Sequence, residues 1–376
     1  MTMKMLPAWL TLSFLPGLGR ARILRLVEFF GSPAAVLAAS AKDVRAVAGI
    51  GDRVSRVLAD PAAVELAGQR AAQELRNLAG RNLTLLCPDD DRYPRLLRAI
   101  ADPPVLLYCQ GDLGCLARPA VALVGSRAAT SYGKRSCFEL ARELAGRGIC
   151  VVSGMALGID GQAHAGALAG GGLTVGVLGC GADVVYPPQH ARLFAEVVGQ
   201  GLLLTEYPLA ARPETFHFPE RNRIISGLSL GVVVVEASLK SGSLITASLA
   251  LEQGREVFAV PGRIDSLKSQ GAHRLLQQGA KLVHNVEDIL EELNLAGVIT
   301  EQSGQGAFSS PAAPVTETEQ RLLGCLEVYP RTVDQLVQQS GYGPAQVLSL
   351  LLDLELKGLV RQLPGQEYER QAQAGR

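Results

Sequence analysis

Small, hydroxyl-bearing and basic residues recur where apolar runs of this 376-residue chain end. Small residues let backbone N–H groups approach an anion, and the start of a following helix favours negative charge. An arginine can add a two-pronged contact to phosphate oxygens. The first two loops of this kind predict phosphate binding by Gly125, Ser126, Arg127, Ser153 and Gly154.

The segment FPERNR, residues 218–223, combines an aromatic ring with guanidinium groups and an amide. This set suits nucleic acid, because the cations neutralise backbone charge while a base stacks on the ring. Arg221 and Arg223 are two residues apart and cannot share one face of a regular helix. We therefore expect one of them to face the ligand and the other an internal carboxylate such as Glu236. The predicted contacts in this segment are Phe218, Arg221, Asn222 and Arg223.

A further loop follows the apolar run GVVVVEA and brings together a cation, hydroxyl groups and backbone donors before the next helical pattern. An ordinary solvated loop does not need that combination. In the second loop, Asp160 is expected to cap the following helix, since a carboxylate facing phosphate would repel it. The predicted binding residues after GVVVVEA are Lys240, Ser241, Gly242 and Ser243.

Strand-like and helical patterns alternate from about residue 118 to 295. The strand-like runs are short, continuous and rich in Val and Leu, which is typical of a parallel sheet with helices on both faces. This alternation predicts an α/β fold with a doubly wound parallel sheet. Residues 76–117 hold two more strand-like runs, LTLLC and VLLYC, which we expect to pair onto the same sheet. The predicted domain spans 76–297.

Residues 1–75 look helical throughout and contain two similar units, each with a Gly-hydrophobic-Gly turn. This is the arrangement of a helix-hairpin-helix (SAM-like) domain, whose glycine turn exposes N–H groups to a nucleic-acid phosphate. Asp52 follows the second turn and favours a structural role there. A small helical bundle that uses the turns only for packing is the alternative. Auxiliary DNA contacts are predicted for Gly17, Gly19, Arg20 and Arg22.

Residues 298–315 are rich in Gly, Ser, Ala and Pro without periodicity and are predicted to be a linker. Residues 316–370 contain three helical patterns and a two-strand wing, which is the order of a winged-helix domain. Its recognition-helix region, 346–357, carries Asp353 and Glu355 but a single lysine. A protein-contact or structural role therefore stands beside DNA binding for this domain.

The common nucleotide and metal motifs are missing from the sequence. No Gly-x-x-x-x-Gly-Lys-Ser/Thr occurs, and GCGADV, residues 179–184, lacks the third glycine of a dinucleotide fingerprint. The five histidines show no metal-ligand spacing, and no Gly-x-Ser-x-Gly marks a nucleophile. We therefore expect no catalytic residue, no metal and no cofactor.

Composition indicates where the protein is expected to be located more than which partner it binds. The formal net charge is +0, so any polyanion site must come from local clustering of cations. Seven cysteines without a CxxC pair indicate a reducing compartment, and we expect a cytoplasmic location. No stretch approaches the roughly 20 uninterrupted apolar residues of a membrane-spanning helix, so no membrane span is predicted.

Five segments of the chain carry a family resemblance. They are VALVGSRAATSYG (121–133), SGMALGIDGQAH (153–164), GCGADVVYPPQ (179–189), FPERNRIISGLS (218–229) and EASLKSGSLITASLALEQGREVFAVPG (236–262). Together they closely resemble the DNA-processing protein A (DprA, also called Smf) family of bacterial transformation and recombination proteins. The likeness is dense over about 76–295, and the flanking helical and winged modules look like those of family members.

The resemblance implies an extended Rossmann-like domain that forms a homodimer and binds single-stranded DNA without catalysis. It also implies that the DNA is protected and handed to RecA recombinase during natural transformation and homologous recombination. One departure is His273, where the family usually has asparagine. By motif, the DNA-contacting cations would be Arg127, Arg221, Arg223 and Lys240, with Gly125, Ser126 and Ser243 as phosphate donors.

An enzymatic alternative comes from a related-looking Rossmann group, the lysine-decarboxylase-like phosphoribohydrolases. Those enzymes use a Gly-Gly-x-Gly-Thr loop with a glutamate three residues later. Here the comparable segment is KSGSLITA, residues 240–247, and the next carboxylate is Glu252, so the required acid is displaced. Nucleotide chemistry or nucleotide sensing is therefore the second hypothesis. A transcription regulator is the third, and the acidic recognition helix weakens it.

Overall fold

A nine-stranded sheet organises the first of two compact units in the computed structural model, Met1–Gln302 and Ser303–Arg376. The predicted linker, 298–315, lies outside the described residues, and the domain boundaries around it stay predictions. The structure describes residues 5–295, 316–326, 330–357, 359–363 and 367–370.

The first unit begins with short helices separated by glycine turns. Gly17 and Gly49 adopt φ of 77° and 78°, a region that side chains with a Cβ rarely enter. Gly19 and Gly51 then precede the next helices as N-caps, as the helix-hairpin-helix pattern predicts. The helices are α1 (Leu6–Phe14), α2 (Arg20–Phe30), α3 (Pro33–Ala38), α4 (Ala41–Ala46), α5 (Asp52–Leu58) and α6 (Pro61–Ala79).

The strand-like runs of the sequence form one mixed sheet. Its strands are β1 (Thr84–Leu86), β2 (Leu107–Gly111), β3 (Ala120–Gly125), β4 (Cys150–Ser153), β5 (Thr174–Val177), β6 (Leu202–Thr205), β7 (Gly231–Glu236), β8 (Glu256–Ala259) and β9 (Lys281–Leu282). Their spatial order is β1-β2-β6-β5-β4-β3-β7-β8-β9. Neighbours from β6 to β9 pair in parallel, whereas β1 and β2 join antiparallel at one edge. The predicted parallel sheet is confirmed, and so is the pairing of both runs within 76–117 onto it.

Helices cover both faces of this sheet, because its buried strands direct alternate apolar side chains into two cores. The helices are α7 (Arg95–Arg98), α8 (Ser131–Gly146), α9 (Ile159–Ala169), α10 (Ala191–Gln200), α11 (His217–Leu228), α12 (Gly242–Glu252), α13 (Gln270–Gln277) and α14 (Val286–Glu292). Ala122 and Val124 of β3 pack with α11 and α12. Val121 and Leu123 of the same strand pack with α8, α9 and α14.

The strand order reverses at β3, which lies between β4 and β7. From β3 the chain runs through β4, β5 and β6 on one side and through β7, β8 and β9 on the other. In open α/β sheets ligands bind outside the carboxyl ends of the strands at such a reversal. The loops that follow β3, β4 and β7 therefore converge on one crevice.

The helical module packs directly on the edge of the sheet. Trp9, Leu12 and Leu26 share one buried cluster with Leu85 of β1 and Tyr108 of β2. The indole Nε1 of Trp9 also donates a hydrogen bond to Asp89 at 2.8 Å. The module and the sheet domain therefore share a continuous hydrophobic core.

The second unit has the order of a winged helix. Its elements are α15 (Glu317–Cys325), β10 (Arg331–Thr332), α16 (Val333–Ser340), α17 (Pro344–Leu356), β11 (Val360–Leu363) and β12 (Glu367–Arg370). The strands form an antiparallel sheet in the order β10-β12-β11, so β10 adds a third strand to the predicted two-strand wing. Leu336, Val347 and Leu351 form the centre of its core. Within the described ranges of both units, no helix has the length and apolar character needed to cross a membrane.

Candidate nucleic-acid interface

A cleft of about 580 Å³ opens at the carboxyl end of the sheet, beside the reversal at β3. It brings together residues that are more than 100 positions apart in the sequence, because the parallel strands end at one edge. Most of the predicted DNA-binding residues line it, namely Gly125, Ser126, Arg127, Phe218, Arg221, Asn222, Ser241, Gly242 and Ser243.

The loop after β3 is held tightly against its neighbours. A Cβ at Gly125 would lie 2.6 Å from the Ile159 side chain and 2.9 Å from the carbonyl oxygen of Glu236, so this position admits only glycine without rearrangement. The backbone N–H of Ser126 donates to the Glu236 carbonyl oxygen at 2.8 Å. The next side chain, Arg127, is exposed. A rigid backbone therefore presents the Arg127 guanidinium to the cleft.

Arg127 lies against an aromatic pair. Its guanidinium carbon is 5.3 Å from the ring centre of Phe218, within the range of a cation–π contact. The Phe218 ring is in turn 5.5 Å from the ring of Tyr186, at an interplanar angle of 31°. Tyr186 is 38% exposed. Sequence reasoning missed Tyr186, although it lies in the segment GCGADVVYPPQ that carries the family resemblance.

Arg221 lies beneath the floor of the cleft. It is 3% exposed, and its Nη1 donates to the carbonyl oxygens of Gly154, at 2.7 Å, and Val177. Burial lowers the pKa of Arg221, and the nearby Asp160 carboxylate works in the opposite direction. Arg221 thus braces the loops after β4 and β5 while its charge remains next to the cleft.

Asp160 does not cap the following helix, contrary to expectation. Gly158 is the N-cap of α9, and Asp160 lies in its first turn, where Oδ2 accepts a hydrogen bond from the Ala156 N–H at 3.3 Å. Burial raises the pKa of this carboxyl, and Arg221 and Arg127 oppose the shift. The carboxylate therefore shapes the loop between β4 and α9.

Arg223 points away from the cleft, as the separation of the two arginines predicts. Two helical residues that are two positions apart in the sequence are about 200° apart around the helix axis. The side chain of Arg223 is 8% exposed, its Nη2 contacts Glu206 at 2.5 Å, and its Nε lies 3.4 Å from Asp102. The expected internal carboxylate is therefore present, but the prediction that it is Glu236 was wrong. Its carboxylate instead accepts from the Thr130 hydroxyl and backbone N–H at the start of α8.

Ser153, Gly154 and Lys240 occupy three different settings. Ser153 is fully buried and its hydroxyl donates to the Leu123 carbonyl oxygen at 2.7 Å, which stabilises the β3–β4 pair. Gly154 lines a smaller cavity of about 60 Å³ next to the Arg127–Phe218 contact. Lys240 is exposed and lines an adjoining depression of about 420 Å³ that shares Ser241 with the main cleft. The smaller cavity also adjoins the main cleft, because Arg127 and Phe218 line both.

The depression also contains Arg274 of α13, which sequence reasoning did not single out. No local motif marks this residue, since it lies inside an ordinary amphipathic helix. Ser241 and Ser243, at the start of α12, lie with their hydroxyl oxygens 2.8 Å apart. The Lys240 loop therefore offers hydroxyl groups, the N-terminus of α12 and the Lys240 ammonium, and Arg274 of α13 adds a second cation beside it.

The auxiliary residues of the helical module are mostly committed to internal contacts. Arg22 is exposed and its Nη1 donates to the Gly17 carbonyl oxygen at 3.0 Å, which closes the first glycine turn. Arg20 is half-buried, and its Nε contacts Asp102 Oδ2 at 2.6 Å. Gly19 supplies the extended N-cap before α2. Arg20 thus faces carboxylates of the sheet domain, and its burial does not support the predicted phosphate contact.

Neither a metal cluster nor the displaced acid of the phosphoribohydrolase hypothesis is found near the cleft. Among the residues that the structure describes, no group of three or more His, Cys, Asp and Glu side chains could hold a metal ion. Glu252 is exposed at the end of α12 and does not line the cleft. The cleft presents the Arg127 and Arg221 guanidinium groups, aromatic rings, hydroxyl groups and backbone donors, with the Asp160 carboxyl group also in its lining.

Family models match three parts of the chain. One described as DNA recombination-mediator protein A matches residues 84–294, and one described as the DprA winged helix domain matches 307–366. A SAM-like helix-hairpin-helix tandem matches 10–56. These matches confirm the fold class, an extended Rossmann-like sheet with an N-terminal helix-hairpin-helix domain and a C-terminal winged helix.

Full-length relatives and solved structures agree with these matches. Protein Smf of Escherichia coli (strain K12) is 43% identical over 290 residues, 76% of each chain, and Protein Smf of Synechocystis is 33% identical over 397 residues, 96% of this chain and 98% of the relative. The X-ray structure of DNA processing protein A from Streptococcus pneumoniae has a TM-score of 0.67 and 38% identity, covering 75% of this chain and 95% of that one. A structure of DNA processing protein A from Helicobacter pylori, described for its single-stranded DNA binding mode, has a TM-score of 0.52 and 35% identity, with coverages of 56% and 95%. The chain therefore belongs to the DNA recombination-mediator protein A family.

Proposed function

We propose that this chain binds single-stranded DNA in the cleft at the carboxyl end of its sheet. The observation that carries the proposal is the exposed Arg127 guanidinium held against Phe218, with Tyr186 beside it. A cation next to two neighbouring aromatic rings matches a nucleic-acid strand, because the cation can contact a backbone phosphate while a base packs on a ring. The H. pylori relative described by its single-stranded DNA binding mode supports the same ligand.

Phosphate groups would be held near the aromatic pair. Gly125 and Ser126 line the same cleft as the N-terminus of α12, with Ser241 and Ser243. Backbone donors and a helix N-terminus suit phosphate oxygens whatever the base sequence. Binding should therefore depend on the strand's backbone and on stacking, with little sequence preference.

The rest of the proposed function follows from family membership. The chain would protect single-stranded DNA and load RecA recombinase onto it during natural transformation and homologous recombination, acting as a homodimer in the cytoplasm. It would do so as a binding protein, without catalysis and without a cofactor. Relatives named DNA processing protein DprA in Bacillus subtilis and Streptococcus pneumoniae, 46% and 48% identical over 203 residues, support the DNA-processing part of this proposal.

Arg127→Ala tests the proposed site. Loss of one phosphate contact should weaken binding of oligonucleotides of every sequence and lower the slope of log affinity against log salt by about 0.7, the single-strand value for one phosphate. Arg142→Ala is the control, since Arg142 lies in α8 and pairs with Glu139. Fluorescence anisotropy with labelled single-stranded DNA at several salt concentrations measures both quantities. Equal affinity and slope in both variants would refute the assignment.

A competition experiment separates strand binding from nucleotide binding. Labelled single-stranded DNA is mixed with the protein in the presence of excess unlabelled single strand, duplex or mononucleotide. The proposal predicts displacement by single strand and little effect of mononucleotide, because the cleft engages several phosphates together. Displacement by mononucleotide at low concentration would favour the nucleotide-sensing alternative.

A further inference from the structure

A partly buried network of charged side chains joins the helical module to the sheet domain, with Glu206 and Arg223 at its buried end. Arg20 of α2 contacts Asp102 at 2.6 Å and lies 3.8 Å from Glu206 and 3.6 Å from Glu220. Arg223 of α11 contacts the same Asp102 and Glu206. The network therefore connects α2, the segments after α7 and β6, and α11.

The position of α11 matters because this helix forms one wall of the DNA cleft. Phe218 and Asn222 line the cleft from α11, and Arg221 braces its floor from the same helix. Glu220 and Arg223, which belong to the network, alternate with these residues along the first two turns. A shift of the helix backbone at Glu220 or Arg223 would therefore also move the aromatic ring and the amide that face the ligand.

Arg20 supplies a charge that the network cannot replace from within. Three carboxylates and two guanidinium groups meet there, so removal of Arg20 would leave Arg223 alone against three negative charges. Asp102 Oδ1, Glu206 Oε1 and Arg223 Nη1 are buried and already lack a hydrogen-bond partner among the described residues. Uncompensated charge in a buried site is strongly unfavourable and is relieved by movement or by entry of water. The element free to respond is the first turn of α11, where Glu220 is 43% exposed.

We propose that Arg20 is a positioning residue through which the N-terminal helical module sets the placement of α11, and with it the cleft wall that carries Phe218. This inference rests on the proposed single-stranded DNA binding for its functional consequence. It replaces the phosphate contact predicted for Arg20 with an indirect role. The module would then influence binding even where it does not touch the DNA.

The first test needs no DNA. Hydrogen–deuterium exchange of peptides within 217–228 is compared in wild type, Arg20→Ala and Arg76→Ala. Arg76 is an exposed arginine of the same module, and its side chain contacts Gln73. Faster exchange in α11 is expected for Arg20→Ala only. Unchanged exchange would overturn the proposal, whatever the outcome of the binding experiments.

The second test uses a substitution for which the two possible roles of Glu220 predict opposite changes in affinity for single-stranded DNA. Glu220→Gln removes a carboxylate that lies on the cleft helix. If Glu220 only repels phosphate, the affinity for single-stranded DNA should rise. If it holds α11 through Arg20, the affinity should fall, and the size expected for coupled sites is about fivefold or more. A rise in affinity would overturn the proposal.

The third test distinguishes positioning from direct contact. A positioning role predicts that Arg20→Ala weakens single-stranded DNA binding by about fivefold or more without changing the salt slope, and that Arg20→Lys restores part of the affinity. A lower salt slope would mean that Arg20 contacts phosphate and would overturn the proposal. Trp9, the single tryptophan of the chain, reports by its fluorescence whether the module stays packed in each variant. If the wild type bound no DNA, the proposed function would fail, and the exchange test would still decide the positioning role.

Discussion

Arg127 and Arg221 belong to the same cleft but differ in their access to water. Arg127 is exposed over the Phe218 ring, so its charge can meet a phosphate that arrives from solution. Arg221 is buried and bonded to the carbonyl oxygens of Gly154 and Val177, so it holds two loops in place. A buried guanidinium that donates to backbone carbonyl oxygens contributes to the architecture of a site, whereas an exposed one contributes to affinity.

Gly158 lies at a tight contact between the loop before α9 and the loop after β3. Its φ is +82°, and a Cβ would clash with the backbone oxygens of Ser126 and Arg127. We expect Gly158→Ala to lower the free energy of unfolding by about 1–3 kcal/mol, since both strain and overlap must be relieved. Urea denaturation followed by Trp9 fluorescence measures the change.

Gly68→Ala is the matched control for this prediction. Gly68 lies inside α6 and a Cβ there meets no atom within 4 Å. The same substitution should therefore stabilise the protein by about 0.5–1 kcal/mol, through helix propensity. Equal effects at both glycines would contradict the geometric argument.

At the scale of elements, the helix that begins at the cleft and the recognition-helix region of the winged helix differ in the charge near them. The N-terminus of α12 follows Lys240 and opens onto the cleft. The recognition-helix region of the winged helix instead exposes Leu348 and Leu352. Its single lysine, Lys357, contacts Glu319 at 2.7 Å and is thereby neutralised. The predicted protein-contact or structural role of this helix fits these features better than direct reading of DNA.

Lys240 and Lys357 therefore form a matched pair for a binding test. Lys240→Ala should weaken single-stranded DNA binding and lower the salt slope, because the exposed ammonium lies next to the cleft. Lys357→Gln should leave the affinity within about twofold, since the Lys357 ammonium is already paired with the Glu319 carboxylate and such a charge contributes little. Anisotropy titrations at two salt concentrations measure both. Equal losses in the two variants would show that the winged helix shares the strand.

At the scale of the whole molecule, the helical module and the sheet domain share one hydrophobic core. Leu85 and Tyr108 of the sheet edge would be exposed if residues 1–75 were removed, because both pack against Trp9 and its neighbours. Deletion of the module would therefore perturb stability and binding together. Single substitutions such as Arg20→Ala are the sharper way to examine its contribution.

A buried histidine in the sheet domain should make the stability of the first unit depend on pH. His164 is fully buried, its Nδ1 lies 2.7 Å from the Thr174 hydroxyl, and burial lowers its pKa from 6.5 to about 3. The folded state therefore binds fewer protons than the unfolded state between these values, and stability is lost as the pH falls through that window. We expect the free energy of unfolding to fall by up to about 1.4 kcal/mol per pH unit more in wild type than in His164→Asn. Urea denaturation at pH 7, 6, 5 and 4 gives the comparison, and parallel curves would contradict it.

Periodicity in the sequence predicted most elements of this protein, although it did not predict β9 of the large sheet or β10 of the winged helix. Short Val- and Leu-rich runs predicted a parallel sheet, and glycine turns predicted the hairpin module, because both signals are local consequences of burial and backbone conformation. Asp160 shows the limit of such reasoning. It was predicted to cap α9, but the N-cap is Gly158, which packs with its positive φ against the backbone of the loop after β3.

Much of the candidate site could also be predicted, because loops after parallel strands must meet at one edge of the sheet. The sequence alone determined the residue types, their loops and the separation of Arg221 from Arg223. Only the tertiary structure decided that Glu206 and Asp102 pair with Arg223, that Tyr186 joins Phe218, and that Arg20 faces carboxylates instead of solvent. These pairings depend on the packing of distant segments, and no local pattern encodes which charges become buried together.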